Sequence, residues 1–232
     1  MYGMNDIFEQ QKIYLTEEKE KKLAKFCALL KEYNEKFNLT SIKDDGEIYE
    51  KHFADSLKGE EFFFENAKVL EIGSGGGFPS VPLKIARDDL DFTLIEATGK
   101  KCSYLKEIGK ELGFENFAVL NGRAEELGKK EEYREKFDIV TARAVAGLNV
   151  LCEYCLPFVK TGGIFVAYKG EAEEEIKEAE NAIKVLGGKI ETVKDFILSK
   201  KSGRRNIIVI KKVSKTPSLY PRGNGKERKN PL

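Results

Sequence analysis

Val69-Leu70-Glu71-Ile72-Gly73-Ser74-Gly75-Gly76-Gly77-Phe78-Pro79 decides how this chain is read. Four residues suited to a strand run into glycines at alternating positions, and Pro79 is fit to open a helix. Glycine at 73, 75 and 77 lets the backbone turn sharply and lie against a ligand with no Cβ in the way. Working outward, the same alternation repeats. Short β-rich runs occur at Phe92-Thr93-Leu94-Ile95-Glu96, Ala118-Val119-Leu120, Phe137-Asp138-Ile139-Val140 and Ile164-Phe165-Val166-Ala167. Helical stretches separate them, as in Lys101 to Leu112, where Cys102, Leu105, Ile108 and Leu112 share one side. Alternating β and α units predict a doubly wound, mainly parallel sheet with helices on both faces. Ile190 to Leu198 and Ile207 to Lys211 flank a basic turn and predict an antiparallel pair at the sheet's edge.

Spacing narrows the ligand of the glycine loop. Counted from Gly73, the dinucleotide fingerprint G-x-G-x-x-G/A places Phe78 where close helix–strand packing needs a small residue. The P-loop string G-x-x-x-x-G-K-[ST] occurs nowhere. What remains, E-x-G-x-G-x-G, is the pattern of the nucleoside-binding loop of class I methyltransferases. Glu96 lies about twenty residues on, at the end of the second strand, where a carboxylate accepts the hydroxyls of a ribose. That position serves a nicotinamide cofactor equally, so Glu96 alone does not discriminate.

On the N-terminal side the pattern is purely helical. Thr16 is a fit N-cap, with glutamates in the first turn and Leu23, Phe26, Cys27, Leu30 and Phe37 at helical spacing. A second helix is expected after Asp44-Asp45-Gly46, with Tyr49, Phe53 and Leu57 on one face. These features divide the chain into a helical cap (1–60), a main α/β domain (61–213) and a basic irregular tail (214–232). From Lys200 onward eleven Lys/Arg stand against one acid, Glu227, a net +10 that leaves −9 for the rest of a chain whose total is +1. Such asymmetry points to a basic segment meeting phosphate, or to a solvated charged terminus. No apolar run reaches membrane-span length and the start lacks a signal-peptide pattern, so a cytoplasmic protein is expected, with its four cysteines as reduced thiols. Cys152 and Cys155 form a lone C-x-x-C without a second pair, and helix-face burial is expected rather than metal binding. The sequon Asn38-Leu39-Thr40 carries no function in that compartment.

Beyond these features the chain resembles the RsmG (GidB) methyltransferases of bacteria. The resemblance rests on Asn38-Leu39-Thr40, His52-Phe53-Ala54-Asp55-Ser56-Leu57, the loop Gly73 to Pro79, Gly99-Lys100-Lys101, Gly122-Arg123-Ala124-Glu125-Glu126, Ala142-Arg143-Ala144-Val145-Ala146, Lys169-Gly170, Tyr220-Pro221-Arg222 and Lys229-Asn230-Pro231-Leu232. It implies a class I, Rossmann-like fold with a seven-stranded sheet, S-adenosyl-L-methionine as cofactor, and 16S ribosomal RNA or the small ribosomal subunit as partner. The reaction it implies is N7-methylation of one guanine. The cofactor set so expected is Glu71, Gly73, Gly75, Gly77, Phe78, Glu96, Ala97, Thr98, Ala124, Glu125 and Arg143. Substrate contacts are expected from His52, Arg123, Lys169, Lys200, Lys201, Arg204, Arg205 and Arg222, with Lys226 as a further phosphate contact by charge. Glu71 and Glu96 stand where the family more often has aspartate, Ser80 where it has glycine and Tyr168 where it has leucine. The last two are expected to reshape the pocket slightly.

Guanine N7 carries an in-plane lone pair and no proton, so no general base, and no metal, is expected. Alignment is then the main catalytic term, and groups near the base stabilise a purine that becomes cationic. The target base has to be unstacked, because A-form grooves hide N7. A monomer is expected. Rival readings are a methyltransferase of this fold acting on another RNA, a protein or a small molecule, a nicotinamide-dependent oxidoreductase, and a non-catalytic nucleotide-binding regulator.

Overall fold

The computed structural model describes residues 3–232; Met1 and Tyr2, where the expected cap begins, lie outside the described residues. Seven strands form one sheet: β1 (Lys68–Ile72), β2 (Asp91–Glu96), β3 (Phe117–Asn121), β4 (Phe137–Arg143), β5 (Val159–Lys169), β6 (Gly188–Ser199) and β7 (Gly203–Lys212). Their order is β3-β2-β1-β4-β5-β7-β6. The first five are parallel, β7 runs antiparallel to β5, and β6 pairs with β7 as the expected edge hairpin.

Strand alternation sends side chains into two separate cores. Val69, Phe92, Leu94, Ile139 and Val166 face one side, with α5 (Ser80–Ala86), α6 (Gly99–Glu111) and the N-terminal helices. Leu70, Val140, Ala142, Phe165 and Ala167 face the other, with α7 (Ala124–Leu127), α8 (Leu148–Cys155) and α9 (Glu173–Val185). Cys152 and Cys155 are fully buried in that second core, and burial raises both thiols. They behave as small apolar residues, matching the expected helix-face role.

The cap consists of α1 (Met4–Gln10), α2 (Glu17–Phe37) and a broken helix covering residues 45–57. Thr16 accepts a hydrogen bond from the Lys19 N–H, and Leu23, Phe26, Cys27 and Leu30 are buried; Phe37 is only half-buried. Asp44 caps α3 (Asp45–Ile48), after which Tyr49–Ala54 widens into a π-helical turn before α4 (Asp55–Leu57). Apolar spacing cannot announce that turn, because the extra residue per turn changes which side chains face inward without changing their identity. π-Turns often mark functional sites, and this one carries His52.

The C-terminal segment is fixed rather than loose. Arg134 donates to the Thr216 (2.8 Å), Pro217 (3.1 Å) and Tyr220 (2.8 Å) carbonyls. Glu153, almost fully buried on α8, accepts from the Arg222 amide (2.8 Å) and from its Nε and Nη2 (3.0 and 2.7 Å). The chain then forms a one-turn helix, α10 (Lys226–Lys229). No helix among the described residues is long and apolar enough to cross a membrane.

Candidate active site

The residues singled out around the glycine loop converge on one edge. Glu71 is the penultimate residue of β1, Glu96 closes β2, Arg123 to Glu125 follow β3, Arg143 closes β4 and Lys169 closes β5. That is the carboxyl edge of the parallel sheet. The order reverses between β1 and β4, and at such a switch point the two loops diverge and leave a crevice.

The glycine loop takes the backbone its composition permits: Gly73, Gly75 and Gly77 all have positive φ (+70, +50 and +90°). A Cβ on Gly73 would come within 2.7 Å of Val145 Cγ2, from the loop after β4, whereas one on Gly75 would meet nothing nearer than 3.8 Å. Glycine is needed at 73 for close approach, while the space above Gly75 is open to a ligand. Glu96 braces this loop: Oε2 accepts from the Gly75 N–H (3.0 Å) and Oε1 from the Thr98 N–H (2.8 Å). Ala97 and Thr98 lie exposed beside it.

Beneath the loop, Glu71 is fully buried on the cap-facing side of β1. Its Oε2 accepts from the Ser80 N–H (3.3 Å), and the buried Ser74 and Ser80 hydroxyls lie beside the carboxyl, though among the described residues neither they nor Oε1 reach good hydrogen-bond geometry. Desolvation pushes the Glu71 carboxyl up to about 8, only partly offset by the Ser80 hydrogen bond and the Arg143 charge. Glu71, Ser74 and Ser80 thus form a buried polar cluster directly under the loop, its members close to one another but without hydrogen bonds of good geometry between their side chains.

The side chains of Arg143 and Phe78 are both engaged with the helical cap. The Phe78 ring is buried and packs into the cap, stacked on His52 (centroids 4.3 Å) and tilted against Phe26 (5.5 Å). Only its main chain remains for the loop. Arg143 lies over the same ring at 4.9 Å and is held by Asp55 (Nη1–Oδ2 2.9 Å) and by Nδ1 of His52 (3.2 Å from Nη2). Because Nδ1 accepts from Arg143, the ring proton sits on Nε2 and is donated to Thr40 Oγ1 (2.8 Å). Burial and the neighbouring guanidinium lower His52 to about 3, so it is neutral at physiological pH. His52 is thus a hydrogen-bonded interface histidine that also borders the cleft, and Asn38-Leu39-Thr40 is the other half of its contact.

Beside Arg143 opens a cleft of about 540 Å³, whose walls include Lys51, His52, Asp55, Lys169, Glu171 and Arg205. Lys169 reaches it only at its rim, since its ammonium is paired with Glu175 (2.6 Å) and donates to Ala146 O (2.9 Å). Arg205 sits 3.8 Å from Asp55 on the β6–β7 hairpin, where Lys200 and Arg204 are exposed and Lys201 pairs with Glu47 (3.0 Å). Burial raises the Asp55 carboxyl, while Arg143 and Arg205 pull it back. Arg222 is not at this cleft; it is spent on Glu153. Tyr168 does not enlarge or narrow the cleft through a loose ring: its hydroxyl is buried and donates to Ser56 O (2.8 Å), in space that Gly59 leaves vacant. Ala124 is buried, Glu125 is half-buried and Arg123 is exposed on the β3 side.

Asp55, Glu153 and Thr40 were absent from the expected site. Asp55 and Thr40 lay inside quoted motifs, but their partners are distant in sequence, and no local pattern pairs them.

Comparison with known proteins decides the family. Residues 19–208 match the family model described as GidB, rRNA small subunit methyltransferase G. The chain is 47% identical over 230 residues to the ribosomal RNA small subunit methyltransferase G of Brevibacillus brevis, covering 98% of this chain and 97% of that one. It is 44% identical to the protein of the same description from Acetivibrio thermocellus, over 95% and 91% of the two chains. The chain belongs to the rRNA small subunit methyltransferase G family. Among solved structures, a SAM-dependent methyltransferase from Aquifex aeolicus superposes with a TM-score of 0.58 at 17% identity, over 76% of this chain and 97% of that one. A ribosomal protein L11 methylase from Lactobacillus delbrueckii gives 0.54 at 15% identity, over 71% and 79%. At such identities these share the fold, the class I methyltransferase sheet expected from the sequence. As a member of the rRNA small subunit methyltransferase G family, the chain has its glycine loop, strand-end acid and Arg143 assembled at one edge.

Proposed function

We propose that the protein transfers a methyl group from S-adenosylmethionine to N7 of one guanine in 16S ribosomal RNA. The observation that carries this reading is the juxtaposition at the switch point: a glycine loop open above Gly75 and underlain by a buried polar cluster meets a cleft rimmed by His52, Arg143 and Arg205. Membership of the family supplies the substrate class.

The residues present fit the cofactor. The open face of Gly75 and the exposed Ala97-Thr98 turn would hold a nucleoside carrying an amino-acid moiety, over the buried polar floor of Glu71 and Ser74. Ala124 and Glu125 would border the base. Bound S-adenosylmethionine supplies an electrophilic methyl on a sulfonium. The protein's own task is to present guanine N7 to it. N7 has no proton to lose, and the neutral His52, with Nδ1 occupied by Arg143 and Nε2–H by Thr40, has no free site for proton transfer. Its role is to hold Arg143 and Phe78 in place. Alignment of this kind is worth roughly 7–11 kcal/mol in favourable cases. Carboxylates near the cleft, Glu171 and Glu175, favour a cationic purine. The hairpin cations Lys200, Lys201, Arg204 and Arg205 are placed to take phosphates while the base is turned inward.

The decisive experiment is transfer of labelled methyl from S-adenosylmethionine to unmodified 16S RNA and to small ribosomal subunits, with cleavage mapping at N7-methylguanine. One labelled guanine, lost with Arg143→Ala, is the expected result. Cofactor binding with no labelled RNA would overturn the substrate and leave a protein or small-molecule methyltransferase of the same fold.

A further inference from the structure

The C-terminal segment ends in a place its composition does not explain. After Arg222 is locked to buried Glu153, Gly223, Asn224 and Gly225 all take positive φ (+78, +59 and +73°), and buried Glu227 accepts a hydrogen bond from the Gly223 N–H. Together with the turn after β3 they enclose a cleft of about 400 Å³, separate from the one beside Arg143. Its walls carry Arg123, Lys129 and Arg228, all exposed and, among the described residues, none neutralised at hydrogen-bond distance by an acid. Arg123 lies 4.0 Å from Glu125, and Lys129 donates only to the Arg222 carbonyl (3.2 Å). Arg228 donates through Nε to the Tyr154 hydroxyl (3.3 Å), which fixes the guanidinium and leaves its outer nitrogens unspent. Glu125 and Glu126 also line the cleft, so its three cations are interspersed with two acids.

Its position gives the occupant. The cleft adjoins Ala124 and Glu125 at the β3 end of the carboxyl edge, while the basic β6–β7 hairpin lies at the other end, past β5. Five strand spacings separate β3 from β7, about 24 Å. A strand laid along that edge crosses the glycine loop midway and meets cations at both ends.

We propose that the cleft formed by Arg123, Lys129 and the tail's Arg228 is a second RNA-backbone site, which grips phosphates on the β3 side of the target guanine. The proposal rests on the function above and adds the C-terminal segment to its machinery: Arg222 is the segment's anchor, and Arg228 with Lys129 makes the contact. Each phosphate neutralised releases counterions, so the salt dependence of binding counts such contacts.

The test is binding of an unmodified 16S RNA transcript across a range of salt concentrations, for wild type and for Lys129→Ala/Arg228→Ala, both side chains being exposed. The expected result is weaker RNA binding and a log–log salt slope shallower by about 1.4, two contacts at roughly 0.7 each on single-stranded RNA. S-adenosylhomocysteine affinity and the methylated position should be unchanged. Arg222→Ala, which frees the segment from α8, should lose part of the same slope. A wild type that methylates RNA normally, with a double variant of identical slope, overturns this site alone. A wild type that labels no RNA overturns the functional reading, and this site with it.

Discussion

At the level of single residues, glycine and carboxyl chemistry carry the site. Gly73 combines φ +70° with a 2.7 Å approach to Val145. Gly73→Ala should therefore cost at least about 1–2 kcal/mol through the backbone alone, and lower cofactor affinity by ten-fold or more; isothermal titration with S-adenosylhomocysteine measures it. Glu71 gives a different signature. Its folded value, about 8, lies above the ordinary 4.5, so the folded state holds a proton that the unfolded chain releases between those values. That contribution is complete below about pH 4.5 and lost as pH rises through about 8. In cofactor-free protein, the stability of Glu71→Gln relative to wild type should rise across that window by up to roughly 1.4 kcal/mol per pH unit. Urea titrations at pH 5 and 8 check this, and a difference independent of pH would contradict the burial of an uncompensated carboxyl. The spacing of Gly73, Gly75, Gly77 and Glu96 was legible in sequence because a tight loop after a strand is a local event. The spending of Arg222 on Glu153, 69 positions away, was not, since nothing near either residue distinguishes an arginine bound for phosphate from one bound for a buried acid.

At the level of elements, the segment after β7 behaves as a docked strap. Glu153 is 1% exposed, and Arg222 is the only cation that reaches its carboxylate among the described residues. Arg222→Ala leaves that charge buried without its partner, and should destabilise the protein by on the order of 3 kcal/mol. The paired change Glu153→Met/Arg222→Met removes both charges and should recover most of the loss, because the buried pair itself contributes little net stability. Denaturant midpoints of the three proteins decide; equal losses in single and double variants would show that the cost lies in releasing the segment and not in a stranded buried charge. The helical cap was legible through its apolar spacing and the Thr16 and Asp44 caps. Its π-turn was not, because helix and π-turn bury the same kinds of side chain.

At the level of the whole molecule, ligand linkage separates the rival readings. S-adenosylhomocysteine at about 100 times its dissociation constant should stabilise the fold by about 2.7 kcal/mol, a rise of roughly 5–10 °C in Tm for a chain of this size. NAD at the same concentration should leave Tm unchanged, and a reversed order would restore the oxidoreductase. The sheet order, with its switch between β1 and β4, makes the site a property of the assembled edge rather than of any one loop. The alternation of β-rich and helical runs, the glycine spacing and the charge imbalance are written locally along the chain, and by themselves they determined a doubly wound methyltransferase fold, its glycine loop after the first strand and a basic C-terminal segment. Which cations stay exposed and which are consumed by Glu153, Glu175 or Asp55 was decided only in the tertiary structure. Ion pairs form between residues that folding brings within about 4 Å, and a sequence records the charges without recording those distances.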